Sequence, residues 1–129
     1  MPVKFQSEDY FEAANAALKK DEDALKASKG HNVEVQVITT DFPQEGEKKT
    51  YLRIKEGVPD VGIGELEDPD AVITQDYETA VALDKGELNP QTAFMEGKMK
   101  IKGNLMKIMQ LQKFMKTLEP ATSDIEREY

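Results

Sequence analysis

The chain has 129 residues, 25 of them acidic and 17 basic, a formal net charge of −8 and 39% apolar residues. That length suits one domain whose core needs no staple, and a chain without cysteine has no disulfide, thiolate nucleophile or cysteine-based metal site. No apolar run approaches the roughly 18 residues of a membrane-spanning helix, the start lacks a signal-peptide core and the end is no peroxisomal tripeptide, so the expected setting is cytoplasmic.

Residues 7–20 read as a helix. Ser7 can cap it, Glu8 and Asp9 suit its positive end, and Phe11, Ala14 and Leu18 share one stripe. The acidic run from Asp21 continues as a second helical piece to Lys29, with Gly30 as the stop. Period two then takes over. Val33, Val35 and Val37 mark a strand over 32–40, a turn follows at 43–46, and Thr50, Leu52 and Ile54 mark a second strand over 48–55. A third strand is expected over 60–66 and a short fourth over 71–74, four strands able to form a meander.

A helix begins near 74–76 and stops at Gly86. Asn89-Pro90 pairs a cap residue with proline at the first helical position and opens a short helix. Lys98-Met99-Lys100-Ile101-Lys102 alternates strictly as a fifth strand. Gly103 breaks it and Asn104 caps a last helix over 105–118, with a polar tail expected to fray from Pro120. The fold class is α+β.

Catalytic chemistry is thin. His31 is the only histidine and follows Gly30 at the mouth of a strand, where solvation is its ordinary fate. None of the serines (Ser7, Ser28, Ser123) sits in a nucleophile elbow. Gly62-Ile63-Gly64 lies within a strand and opens no helix, so it fails as a dinucleotide loop. The carboxylates of Asp21/Asp23 and Asp68/Asp70 read as solvated charge, not as calcium loops. No catalytic residue, metal site or cofactor is expected.

Two features need more than solubility to explain them. Gly62 and Gly64 leave one strand face bare, a sign that a helix or a ligand approaches closely. Five of the six methionines (Met95, Met99, Met106, Met109, Met115) fall between 95 and 115. In the last helix Ile108, Leu111, Phe114, Met115 and Leu118 form a core stripe, whereas Leu105, Met106 and Met109 fall outside it. A helix covering one sheet needs only one stripe, and methionine suits surfaces that fit variable ligands.

The stretch from Gly86 to Lys107 resembles the sterol carrier protein 2 family. Ala93-Phe94 in a short helix is followed by Gly97, a lysine-alternating strand, the Gly103-Asn104 break and a methionine-rich helix, and the order of elements fits over roughly 5–118. The acidic segment 21–29 departs from the family's pattern. The resemblance implies a five-stranded, mostly antiparallel sheet with helices on one face. Between them it implies an apolar tunnel for a fatty acyl chain, fatty acyl-CoA, sterol or phospholipid. It implies a carrier and no enzyme. Within the matched stretch it points to Phe94, Met95, Met99, Ile101, Leu105, Met106 and Met109 as lipid-binding residues, with Gly62 and Gly64 added from the bare strand face. Two rivals are a non-catalytic interaction or regulatory module with a side-chain-filled cavity, and a small lipid-metabolising enzyme using a buried carboxylate.

Charge is uneven. Lys98, Lys100, Lys102, Lys107, Lys113 and Lys116 lie between 97 and 118 with no acid, so that segment carries +6 and the remainder −14. The total argues against nucleic acid as a partner. The segment predicts edge-strand protection or transient contact of Lys98, Lys100 and Lys102 with an anionic membrane.

Overall fold

Ser7 acts as its position predicts: its hydroxyl accepts from the Tyr10 N–H at 3.2 Å and opens α1 (Glu8–Lys20). The computed structural model describes residues 2–129, apart from the side chains of Gln112, Lys113 and Glu119, so the expectation for Lys113 lies outside the described residues. Before α1 comes a short β1 (Val3–Lys4). Asp21 then caps α2 (Glu22–Ser28) by accepting from the Ala24 N–H at 2.9 Å.

The valine alternation becomes β2 (Val33–Phe42), which pairs antiparallel with β3 (Gly46–Lys55), and β3 pairs antiparallel with β4 (Val58–Ile63). β5 (Ala71–Asp76) breaks the expected meander: it crosses back to lie parallel beside β2. β6 (Met99–Gly103) pairs antiparallel with β5, so the order is β4-β3-β2-β5-β6. The segment that leads into the crossing is held by Gln36, a buried polar side chain on β2. Its Nε2 donates to the carbonyls of Thr50 at 2.7 Å and Gly64 at 2.9 Å, and its Oε1 accepts from the Leu66 N–H. Glutamine spends both donors and its acceptor here, so the segment after β4 is pinned across the sheet.

Asp76 caps α3 (Tyr77–Asp84), Asn89 caps α4 (Pro90–Met95) with Pro90 in its first turn, and Asn104 caps α5 (Leu105–Thr122). α1 and α5 pack on the sheet face that carries Val33, Val35, Val37, Ile54, Val61, Ala71 and Ile73, and bury Phe11, Ala14, Leu18, Ile108, Leu111 and Phe114 there.

The tail does not fray. Pro120 lacks the N–H that would bond one turn back, yet α5 continues through it to Thr122. Beyond it β7 (Arg127–Glu128) pairs parallel with β1. Arg127 Nη1 donates to Asp84 Oδ1 at 2.8 Å, and the Phe5 and Tyr129 rings meet at 5.1 Å between centroids. These contacts hold the segment that polarity alone would leave loose.

Candidate functional site

Strand register sorts the inner face of the sheet into rows. Gly103, Ala71, Val35, Leu52 and Val61 form one row, and Ile101, Ile73, Val37, Thr50 and Ile63 the next. Under α1 and α5 the first row is sealed, because Leu18, Leu111 and Phe114 have no exposed surface. Over that row the space between sheet and helices is filled by side chains. Two clefts of about 470 and 270 Å³ lie elsewhere, and both are open and lined largely by polar residues. The larger runs between Asp21, Asp23 and Lys26 on the α2 side and Lys116, Thr117 and Pro120 of α5.

The apolar surplus collects at the β6 side. α4 leads into β6 and is anchored by Ala93, which is fully buried and whose carbonyl accepts from the Lys98 N–H at 2.8 Å. β6 is an edge strand and leads directly into α5. Gly103 makes that corner possible: its φ is +114°, and a Cβ there would lie 2.6 Å from the Asp70 carbonyl. Asn104 Oδ1 accepts from the N–H groups of Met106 at 3.0 Å and Lys107 at 3.3 Å.

Along this segment Met95 is 85% exposed, Met106 72% and Met109 66%, and Phe94 and Leu105 are exposed too. Met99 is buried, and Ile101 is half-buried against the core. Of the seven residues expected within 86–109, two thus line the inner sheet face and five are exposed, Phe94 and Met95 before β6 and Leu105, Met106 and Met109 after it.

The glycines are elsewhere. Gly62 pairs with Tyr51, and both point away from the helices. A Cβ on Gly62 would meet Tyr51 Oη at 2.5 Å. The close approach that the bare face predicted is therefore real, but the approaching group is the Tyr51 ring on the outer face, not the helical layer. Gly64 lies just past β4, and its carbonyl is taken by Gln36. The strand expected over 60–66 ends at Ile63, so only Gly62 is a strand glycine, and the group that approaches it is a side chain of the sheet itself, not a helix.

Lys100 and Lys102 point outward on β6, opposite to Met99 and Ile101. Lys98 pairs with Glu96 at 3.3 Å, and Lys107 Nζ donates to the Asn32 carbonyl at 2.8 Å on the surface. The carboxylates with identifiable partners do structural work. Asp84 holds Arg127 and Tyr129. The Asp76 carboxyl is held below the usual range chiefly by its hydrogen bonds from Thr79. Among the described residues no group of carboxylates or histidine is placed to hold a metal ion. Sequence reasoning missed Thr39 and Lys48, two buried polar positions on the inner face of β2 and β3. Their signal was present as polar residues at inward positions of alternating strands.

The model of the SCP-2 sterol transfer family matches residues 11–116. Sterol carrier protein 2 of Gallus gallus is 38% identical over 72 residues, 56% of this chain and 13% of that protein. Hydroxysteroid dehydrogenase-like protein 2 of Homo sapiens is 39% identical over 66 residues, 50% of this chain and 16% of that protein. The chain thus spans a small part of either relative's length. The solution structure of the sterol carrier protein domain 2 of Helicoverpa armigera is 28% identical, covers 98% of this chain and 95% of its own, and superposes with a TM-score of 0.65.

Proposed function

The chain belongs to the SCP-2 sterol transfer family, a family of lipid-carrier domains, and from that premise we propose that it binds one long-chain lipid at the lip formed by α4, β6 and the start of α5. The observation that carries the reading is the exposure of five large apolar side chains, Phe94, Met95, Leu105, Met106 and Met109, on the two segments that flank the inward-facing Met99 and Ile101. An acyl chain covering that cluster leaves water with about 0.8 kcal/mol gained per buried methylene. No reaction is assigned to the site: the dehydrogenase-like relative is matched over only 16% of its length. Residence in the cytoplasm is part of the proposal and is tested by cell fractionation.

The test is direct. Organic extraction of the purified protein followed by mass spectrometry recovers stoichiometric lipid. Met106→Glu places a charge on the lip and abolishes displacement of a fluorescent fatty acid while the melting transition stays in place. Unchanged affinity in that variant defeats the assignment.

Delivery would use the lysines beside the lip. Lys100 and Lys102 sit on the outer side of β6 and Lys98 just before it, and the three would meet anionic lipid, each contributing about 1 kcal/mol at low salt. Transfer between vesicles then quickens with anionic lipid content and slows with salt, and reversing these three charges removes both dependences. Rates indifferent to vesicle charge and salt leave the lysines as edge protection only.

A second reading is favoured by the packing of Leu18, Leu111 and Phe114 across the inner face. In it the cavity stays filled and the lip docks a protein partner. A lipid-free extract together with a stable self-associated species would support it.

A further inference from the structure

The inner-face row that ends in Met99 is polar. Register sets Met99 beside Gln75, Gln75 beside Thr39 and Thr39 beside Lys48. Alternation turns all four toward the side of Val37 and Val35. Strands lie about 4.8 Å apart, so this row runs about 14 Å across the sheet. The neighbouring row, Ile101, Ile73 and Val37, is apolar until it reaches Thr50. A polar band beside apolar rows on one face is the outline of an amphiphile.

Two observations say what the band lacks. Thr39 has no exposed surface, and its Oγ1 has no hydrogen-bond partner among the described residues. Native interiors keep few such groups. The other orphan, Gln6 Oε1, is an acceptor in the turn between β1 and α1 and belongs to no row of the sheet. Beside Thr39, Lys48 is the one charged residue that is buried among the described residues, at 8% exposure. Its ammonium lies 4.7 Å from the centroid of the Phe42 ring and 3.2 Å from Glu45, whose side chain is 48% exposed. The lysine stem therefore lies inside while its charge sits at the rim, held by a partner that water can replace. Thr39 and Lys48 are directly opposed, with Cβ atoms about 4.5–5.5 Å apart, so the long lysine side chain can swing its ammonium from Glu45 to a carboxylate held at Thr39 Oγ1.

Resting on the carrier reading above, we propose that Thr39 and Lys48 receive the carboxylate head of a fatty acid. One oxygen accepts from Thr39 Oγ1 and the other from Lys48 Nζ, which exchanges Glu45 for the ligand. The acyl chain follows Val37, Ile73 and Ile101 toward the lip. The site selects a lipid acid over its neutral ester, a discrimination that the methionine lip cannot make.

Palmitate and methyl palmitate are competed against an uncharged pyrenyl alkane, a probe with no head group to lose. The wild-type protein prefers the acid. Thr39→Val, which keeps the shape, weakens palmitate about tenfold and leaves methyl palmitate within about twofold. Lys48→Met removes the preference for acid, and Thr39→Ser and Lys48→Arg restore it. Retained binding of methyl palmitate shows that each variant is folded. If Thr39→Val and Lys48→Met both keep the wild-type preference with the probe still bound, the head-group site is wrong and lipid binding stands. If the wild-type protein does not bind the probe, the carrier reading fails and this site fails with it.

Discussion

Leu18, Leu111 and Phe114 have no exposed surface, whereas Met95, Met106 and Met109 are 85%, 72% and 66% exposed. Both sets draw on α5, which seals the sheet with one face and presents apolar side chains to water with the other. The elements differ in what holds them as well. α1 buries four residues, but α4 buries only Ala93 and α3 only Thr79 and Ala80. Every helix has a cap, Ser7 on α1 and Asp21 on α2 as well as Asp76, Asn89 and Asn104, but for α3 and α4 the cap is a larger share of what holds the helix. A helix held by burial opens only when the molecule unfolds, whereas one held by its cap can open locally. α4, which carries Phe94 and Met95, is of the second kind.

Breaking the sealed side should have the largest effect. Phe114→Ala leaves a cavity in the core and is expected to cost about 3–5 kcal/mol, while Met109→Ala on the same helix stays within about 0.5 kcal/mol. Urea denaturation of the two variants reads the difference directly. Equal losses would mean that Met109 is as much a part of the core as Phe114.

The sealed side is also locked from the tail. The Arg127 and Asp84 side chains are 11% and 15% exposed, and the arginine also donates to the Thr122 carbonyl. Arg127→Ala leaves Asp84 without its cation and should cost about 3 kcal/mol, with β7 released. Hydrogen exchange at the Phe5 amide, which donates to the Glu128 carbonyl at 2.8 Å, checks the release. A protected Phe5 amide in this variant would show that β7 stays in place without the ion pair.

On the lip side the effect is smaller and local. Asn104→Ala removes an acceptor shared by two N–H groups and should cost about 1 kcal/mol. Exchange should quicken over residues 105–109 and stay unchanged in β2. Uniform quickening along the whole of α5 would show that the helix opens as one unit and that its two faces are not held separately.

Much of this contrast was legible in the residues. The alternation of Val33, Val35 and Val37 and the caps Ser7, Asn89 and Asn104 are local signals, and the structure places them as read. Splitting α5 into Ile108, Leu111 and Phe114 inside and Leu105, Met106 and Met109 outside needed only helical spacing. What escaped was non-local. Nothing near β5 states that it pairs with β2, because the pairing joins segments some 36 residues apart and the chain between them is held by Gln36 at Gly64 and Leu66. The tail looked loose because its anchors, Asp84 and Phe5, lie far away in sequence. The group that approaches Gly62 was not legible because both sides of a strand are equally open to a glycine until the register with Tyr51 is known. Within the site, the lip was readable from surplus apolarity, whereas Thr39 and Lys48 looked like ordinary polar strand positions.

The smallest effect is expected at Asp76, where the cap-held side meets the lysine segment. Its carboxylate accepts from the Thr79 N–H at 2.7 Å, and its pKa is lowered first by the Thr79 hydrogen bonds and further by the charge of Lys98, against an opposing effect of burial. A carboxyl whose folded pKa lies below its unfolded value of about 3.9 favours the folded state while it is ionised. That stability is fully present above the unfolded value and is lost as pH falls through the folded one. Asp76→Asn keeps a capping oxygen and gives up only the charge, so at neutral pH it should cost about 0.3–1 kcal/mol. The gap between wild type and variant should narrow below about pH 4 and close once Asp76 is protonated in both states. Lys98→Glu should raise the pH at which Asp76 titrates, followed by the chemical shift of its carboxyl carbon, and should leave Phe114 as well packed as before. A gap that stays constant from pH 7 to pH 2 would mean that the charge contributes nothing and that the hydrogen bond alone holds α3.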